Sequence, residues 1–224
     1  MKHILLSICL LAFWASIANA DLRYTMHVRV TSGQLKEPLP AGETVMLIQG
    51  DAVRVEQVGG AARSVLLMRP DGQFVLDLEA RTYWRIPREN ALILPATATP
   101  SVFRRTGEFA TMLGLRAERV DVTMSLPLPV TPPPGLPTVV SMTGELWIAD
   151  AYRDYAGNIS RAISFSSAIP SGIEGIVLRQ VVRNAQLGIE IEHLVTELIE
   201  APVAAEMFEV PDGFRDVTGS AGRR

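Results

Sequence analysis

Polar and apolar residues alternate along much of the chain, most cleanly in Asp21–Thr31 (DLRYTMHVRVT). Tyr24, Met26, Val28 and Val30 fall on one side of an extended backbone. Arg23, Thr25, His27 and Arg29 fall on the other. That period of two predicts a strand with one buried face and one wet face. Glu43–Pro87 continues as short runs separated by tight turns. Val45–Gln49 leads to Gly50–Asp51, Val53–Gln57 to Gly59–Gly60, and Arg63–Arg69 to Pro70–Asp71–Gly72; Phe74–Glu79 and Thr82–Ile86 complete the set. Such runs, rich in Val, Leu and aromatics, predict an antiparallel meander. Val53–Gln57 and Phe74–Glu79 interleave charges with apolar residues, which predicts one wet face. Val65–Met68 is apolar throughout, which predicts a strand covered on both faces.

The remaining chain extends this sheet. Ser32–Gly42 is a Gly- and Pro-containing loop. Glu89–Leu94 reads as a helical turn or apolar flap, and Ala96–Ser101 as an exposed connector. Phe103–Ser125 predicts two strands around Leu113–Gly114, and Thr143–Asp150 a strand carrying Trp147. Ile176–Asn184 and Gly188–Glu197 predict a hairpin in which Ile189, Ile191, His193 and Val195 share a face. Ala151–Asn158 reads as a polar turn and Ile159–Ile169 as a covering helix or a mixed strand. Pro202 suits the first position of a helical turn over Ala201–Met207. Leu126–Pro137 (LPLPVTPPPGLP) is a stiff extended loop, or a docking peptide for an aromatic groove.

Residues 1–20 carry Lys2 and His3, an apolar run from Ile4 to Ile17, and Ala18–Asn19–Ala20 before Asp21. This is the layout of a secretory signal peptide, with an apolar run too short for a membrane span. The expected organisation is a signal peptide over 1–20, one β-rich domain over 21–217 and a disordered tail over 218–224. The chain's one cysteine, Cys9, lies in the signal segment. A mature chain from Asp21 therefore has no disulfide and no thiolate chemistry. The formal net charge of −3 leaves no basic excess for nucleic acid. No other apolar run is long enough to span a bilayer, so no transmembrane anchor is expected after cleavage.

Candidate chemistry is sparse. His27 and His193 each stand alone in a strand and read as structural residues. No nucleophile elbow, zinc-binding histidine pair or phosphate-cradling glycine loop occurs. Asp150, Asp154 and Asn158 are too widely spaced for a calcium loop. Asp77 alternates outward towards solvent. The reading is therefore not an enzyme, with no cofactor and no metal. The apolar inventory points elsewhere: Met26, Met46, Met68, Met112, Met124 and Met142 fall in or beside predicted strands. Methionine accommodates irregular apolar shapes, in a ligand surface or in a core. The expected ligand-facing set is Tyr24, Met26, Val28, Val53, Val55 and Leu67, taken as one apolar face.

Several segments also follow one another in a recognisable order. Gly50–Glu56 is a glycine-led strand, followed by Phe74–Tyr83 (FVLDLEARTY). Thr106–Gly107–Glu108 and Leu113–Glu118 (LGLRAE) come next, then Glu145–Ile148 (ELWI) and Phe208–Phe214 (FEVPDGF). This order resembles an uncharacterised family of exported bacterial proteins related to the LolA-like superfamily. The proline-rich insert and the weakly marked lid helices depart from that pattern. The resemblance implies a mainly β fold, a curved antiparallel sheet or incomplete β-barrel around a helical plug or lid, with an apolar cavity. It implies a carrier of lipids or lipoproteins, or a binding module, in the periplasm. The leading expectation is a non-catalytic periplasmic protein that binds an apolar ligand, a lipid or a lipidated partner. The rivals are an interaction module of the cell envelope with a filled core, and an enzyme with a dispersed site. Secretion to the medium is the alternative to the periplasm.

Overall fold

The structure is a computed structural model that describes residues 21–32, 42–59, 63–86, 102–127, 139–164, 175–186 and 188–219. The predicted signal segment, the flap and connector at 89–101, and the proline-rich run at 128–137 lie outside these residues.

The alternating runs form strands where the pattern places them. They are β1 (Leu22–Ser32), β2 (Gly42–Gln49), β3 (Ala52–Val58), β4 (Ser64–Arg69), β5 (Gly72–Asp77) and β6 (Thr82–Ile86). Then come β7 (Val102–Met112), β8 (Leu115–Pro127), β9 (Val139–Ala149), β10 (Ile176–Asn184), β11 (Ile189–Glu200) and the short β12 (Arg215–Asp216). All join one 12-stranded sheet in the order β12-β6-β5-β4-β3-β2-β1-β11-β10-β9-β8-β7. The sheet is open and curved, and every pairing is antiparallel except β12 with β6. β1 lies between β2 and β11, which joins the meander to the second half of the chain.

One helix, α1 (Arg153–Ser164), follows β9. It begins inside the stretch read as a polar turn, which corrects that reading. Tyr155, Ile159 and Ala162 recur at helical spacing; Ile159 and Ala162 are buried and Tyr155 packs beside them. Asn158 Nδ2 donates to the Gly50 carbonyl at 2.6 Å, fastening the helix to the β2–β3 turn. α1 touches both β3 and β10, which stand four places apart in the sheet. It therefore bridges the inner face of the curve. Among the described residues no helix is long and apolar enough to cross a membrane.

The inner face holds the main core, including Leu22, Met46, Val53, Leu66, Val120 and Leu146. The outer face divides in two. Across β7–β11 and β1 it carries a line of alternating charges. Arg104 meets Asp121 at 2.5 Å, and Arg119 bridges Asp121 and Glu145 at 3.2 and 3.3 Å. Arg179 bridges Glu145 and Glu192 at 3.4 and 2.9 Å, and Arg29 closes on Glu192 at 2.6 Å. Burial pushes the Glu192 carboxyl up, but Arg179 and Arg29 hold it below the usual carboxylate range. Each exposed pair contributes little, roughly 0–1 kcal/mol. Their consequence is a charged, solvated stretch of the outer face.

Across β3–β6 the outer face is instead covered by the chain's C-terminal segment. After β11 the Ala201 N–H donates to the Asp21 carbonyl, and the Val203 N–H to Asp21 Oδ2. A single 3₁₀ turn (Ala205–Phe208) follows, with Phe208 buried. Arg54 of β3 donates to the Met207 carbonyl at 3.1 Å, and Arg69 of β4 to the Phe208 carbonyl at 3.4 Å. Val210 and Phe214 then pack on Val65, Leu67, Phe74 and Leu76, a second core. The strap ends as β12 along β6. Thr218, at the start of the stretch read as a tail, accepts the Arg85 N–H through its hydroxyl at 2.9 Å. This explains why Val65–Met68 is apolar throughout: Leu66 and Met68 enter the first core, Val65 and Leu67 the second. It also corrects the wet face expected for Val53–Gln57. Arg54 is 9% exposed, because the strap supplies its acceptor.

Candidate ligand cleft

Strand register decides which predicted ligand-facing residues share a face. Tyr24 pairs with Met46, Met46 with Val55, Val55 with Leu66, Leu66 with Val75, and Val75 with Trp84. Residues directly opposite in a sheet point the same way. Tyr24, Met26, Val28, Val53 and Val55 therefore lie together on the inner face. Leu67 does not. It pairs with Arg54 and Phe74, points outward, and belongs to the second core beneath the strap. Side chains alternate along a strand, so the antiparallel partner of Val55 is Leu66, and its neighbour Leu67 must face away.

The inner face is closed at its centre. Tyr24, Met26 and Val53 are 1%, 2% and 0% exposed. Only Val28 and Val55 are partly buried. Burial pushes the Tyr24 phenol pKa up, and its hydroxyl donates to the Val177 carbonyl at 3.1 Å. A void of about 10 Å³ lies beside Tyr24, Gln180 and His193. Gln180 and His193 pair across β10 and β11, and among the described residues Gln180 Oε1 and His193 Nδ1 have no hydrogen-bond partner.

Burial holds the His193 imidazole pKa below its ordinary value of 6.5. The unfolded chain therefore takes up a proton first as pH falls. The stability contributed by neutral His193 is complete above the unfolded pKa and is lost as pH falls below it, until the folded value is passed. The expected result is that the urea midpoint of the wild type drops more between about pH 7.5 and about pH 5.5 than that of His193→Gln. Equal drops would mean that His193 has the same pKa in the folded and unfolded states. His27 has a carboxylate neighbour, Glu43 at 3.1 Å, but the pair is exposed on the outer face. Among the described residues no three His, Cys, Asp or Glu side chains gather as metal ligands.

Open space occurs elsewhere on the inner side, where β7, β8 and β9 end near the start of α1. A cleft of about 450 Å³ lies there. Its apolar lining is Phe109, Leu115, Ile148, Ala149 and Ala151. Its polar lining is Arg105, Arg116 and Arg153 with Glu118 and Asp150. Local backbone geometry builds it. Leu113 (φ 50°) and Gly114 (φ 76°) form the left-handed two-residue turn that joins β7 to β8. A bulge around Gly107 (φ 73°) lets four steps of β7, Arg105 to Phe109, match two steps of β8, Val120 to Glu118. That bend places Phe109 opposite Glu118.

The charges of the cleft are partly paired. Arg105 meets Glu118, and Arg153 meets Asp150 across the entry to α1. The Arg153 hydrogen bond and the nearby Arg105 charge hold the Asp150 carboxyl below the usual range. Arg116 lies with its guanidinium carbon 3.6 Å from the centre of the Phe109 ring. Among the described residues it has no carboxylate partner. The chemistry available is that of a binding surface, with an apolar floor, paired charges and one stacked cation. None of these cleft residues belongs to the ligand-facing set expected from the sequence. The local signs of it were Gly107 within a strand and Phe109 following Glu108.

No protein-family model matches the sequence, and no curated protein does. Solved structures do resemble the fold. An uncharacterised conserved protein from Thermus thermophilus superposes with a TM-score of 0.50 at 10% identity, covering 90% of this chain and 91% of that one. The lipoprotein LppX of Mycobacterium tuberculosis gives 0.39 at 11% identity, over 81% and 88%. A LolA superfamily protein from Nitrosomonas europaea gives 0.38 at 10% identity, over 91% and 96%. At such identities a likeness speaks of fold alone. The architecture shared with the Thermus thermophilus protein is the fold alone, here one open curved sheet bridged by a helix on its inner face.

Proposed function

We propose that this protein is a non-catalytic binding protein of the bacterial periplasm that holds a lipid, another apolar ligand or a lipidated partner. The observation that carries this reading is the cleft of about 450 Å³ on the inner side of an open sheet, with an apolar floor beside charged walls. Its volume lies in the range of small-molecule sites, roughly 300–1,000 Å³. The signal-like segment at 1–20 supports export. Val28 and Val55 are partly buried on the inner face and stand outside the cleft lining, while Tyr24, Met26 and Val53 form a packed wall in the main core. Leu67 serves the fold under the strap. A second reading, an envelope interaction module with a filled core, is favoured by the burial of that wall.

The test is native mass spectrometry of the mature protein purified from a bacterial periplasm, followed by lipid extraction. The expected result is a bound mass of lipid size. Phe109→Asp should abolish it while leaving the circular dichroism spectrum intact, because Phe109 is half-exposed. A ligand-free mass, with no uptake of a fluorescent fatty acid, would instead support the interaction module.

A further inference from the structure

We propose that the cleft selects an amphipathic anion. A singly charged headgroup, carboxylate or phosphate, lies against Arg116, and the apolar body lies over Phe109, Leu115 and Ile148. This rests on the ligand-binding reading above and adds the ligand's charge and the residue that reads it.

Among the described residues three guanidiniums line the cleft against two carboxylates, an excess of one positive charge. The excess has a definite location. Arg105 is committed to Glu118 and Arg153 to Asp150. Arg116 has no carboxylate among the described residues, and the Phe109 ring holds its guanidinium plane in place. A stacked guanidinium keeps its in-plane N–H donors available, in a fork that matches carboxylate and phosphate oxygens. The same ring presents its remaining apolar surface to the cleft, so headgroup and body contacts adjoin. Glu118 and Asp150 disfavour a second negative charge nearby. A neutral amphiphile would fill the apolar floor and leave Arg116 as it stands, gaining nothing from the cation.

The test is a binding titration of the mature protein, below micelle-forming concentrations, with three amphiphiles of equal chain length. They are a long-chain fatty acid, a lysophosphatidylglycerol and an uncharged monoacylglycerol. The two anions separate a free carboxylate from a lipid phosphate as the preferred headgroup. At least one anion is expected to bind about tenfold more tightly than the neutral lipid, the size of one charge-assisted hydrogen-bond pair. That preference should shrink as salt is raised. Arg116→Glu should remove the preference by weakening the anions far more than the neutral lipid, and Arg116→Lys should retain part of it. Arg104→Glu makes the same charge change on the outer face and should leave the preference intact. Equal binding of all three lipids, or a preference that survives Arg116→Glu, overturns this inference and leaves the lipid-binding reading standing. Binding of none of the three overturns both.

Discussion

A chain ended at Glu200 is expected to lose most of its stability, although it keeps every strand of the sheet except the two-residue β12. The missing strap covers Val65, Leu67, Phe74 and Leu76. Uncovering four large apolar side chains costs on the order of 6 kcal/mol. Domains of this size are stable by only about 5–15 kcal/mol. Arg54 would also lose the Met207 carbonyl that its guanidinium reaches at 3.1 Å. Urea unfolding of the truncated protein should begin at much lower denaturant, and an apolar dye should bind it before the transition. Phe208→Ala isolates one part of this effect. Phe208 is 3% exposed, and its removal should cost about 3–5 kcal/mol, roughly 10 °C in Tm. A truncated protein with the full-length midpoint would mean that the strap rests on the sheet without stabilising it.

Gly144→Ala is expected to destabilise by about 3 kcal/mol, although it adds a single methyl group. Gly144 pairs with Val182 of β10 and Val122 of β8. A Cβ there would stand 2.2 Å from the Val181 carbonyl oxygen and 3.1 Å from the Val182 Cα. Both are backbone atoms held in the ladder, so no side chain can swing aside. The strands must part, and β9–β10 hydrogen bonds lengthen with them. Gly157 provides the contrast. It sits inside α1 with nothing within 4 Å of its added Cβ. Gly157→Ala should therefore stabilise by about 0.5–1 kcal/mol through helix propensity. Thermal melts of the two variants should move in opposite directions. A neutral Gly144→Ala would show that β9 and β10 are less closely apposed than this register requires.

Much of the architecture could be read from short-range pattern. The alternation in Asp21–Thr31, the turn dipeptides between β2 and β6, and the apolar run Val65–Met68 each state a local steric preference, and each appears in the sheet. Helix α1 was obscured because Gly157 lowers its helix propensity and its other residues are largely polar. Tyr155, Ile159 and Ala162 were its only spaced signal. The candidate site was less legible still. Arg105, Phe109, Arg116, Glu118, Ile148 and Asp150 come from three strands and the entry to α1, and a bulge at Gly107 brings Phe109 opposite Glu118.

The sequence by itself determined where the strands run and which side chains within each strand share a face. Those are consequences of backbone geometry over a few residues. Only the tertiary structure decided what covers each face. Leu67 could be assigned to the Val55 face until the β3–β4 register matched Val55 with Leu66. Arg54 has the pattern of a solvent-facing residue, yet its guanidinium bonds to a carbonyl 153 residues further along the chain. A charged side chain reads as exposed because leaving water without a partner is costly. The strap removes that cost by bringing a partner from the other end of the chain, and no local pattern records it.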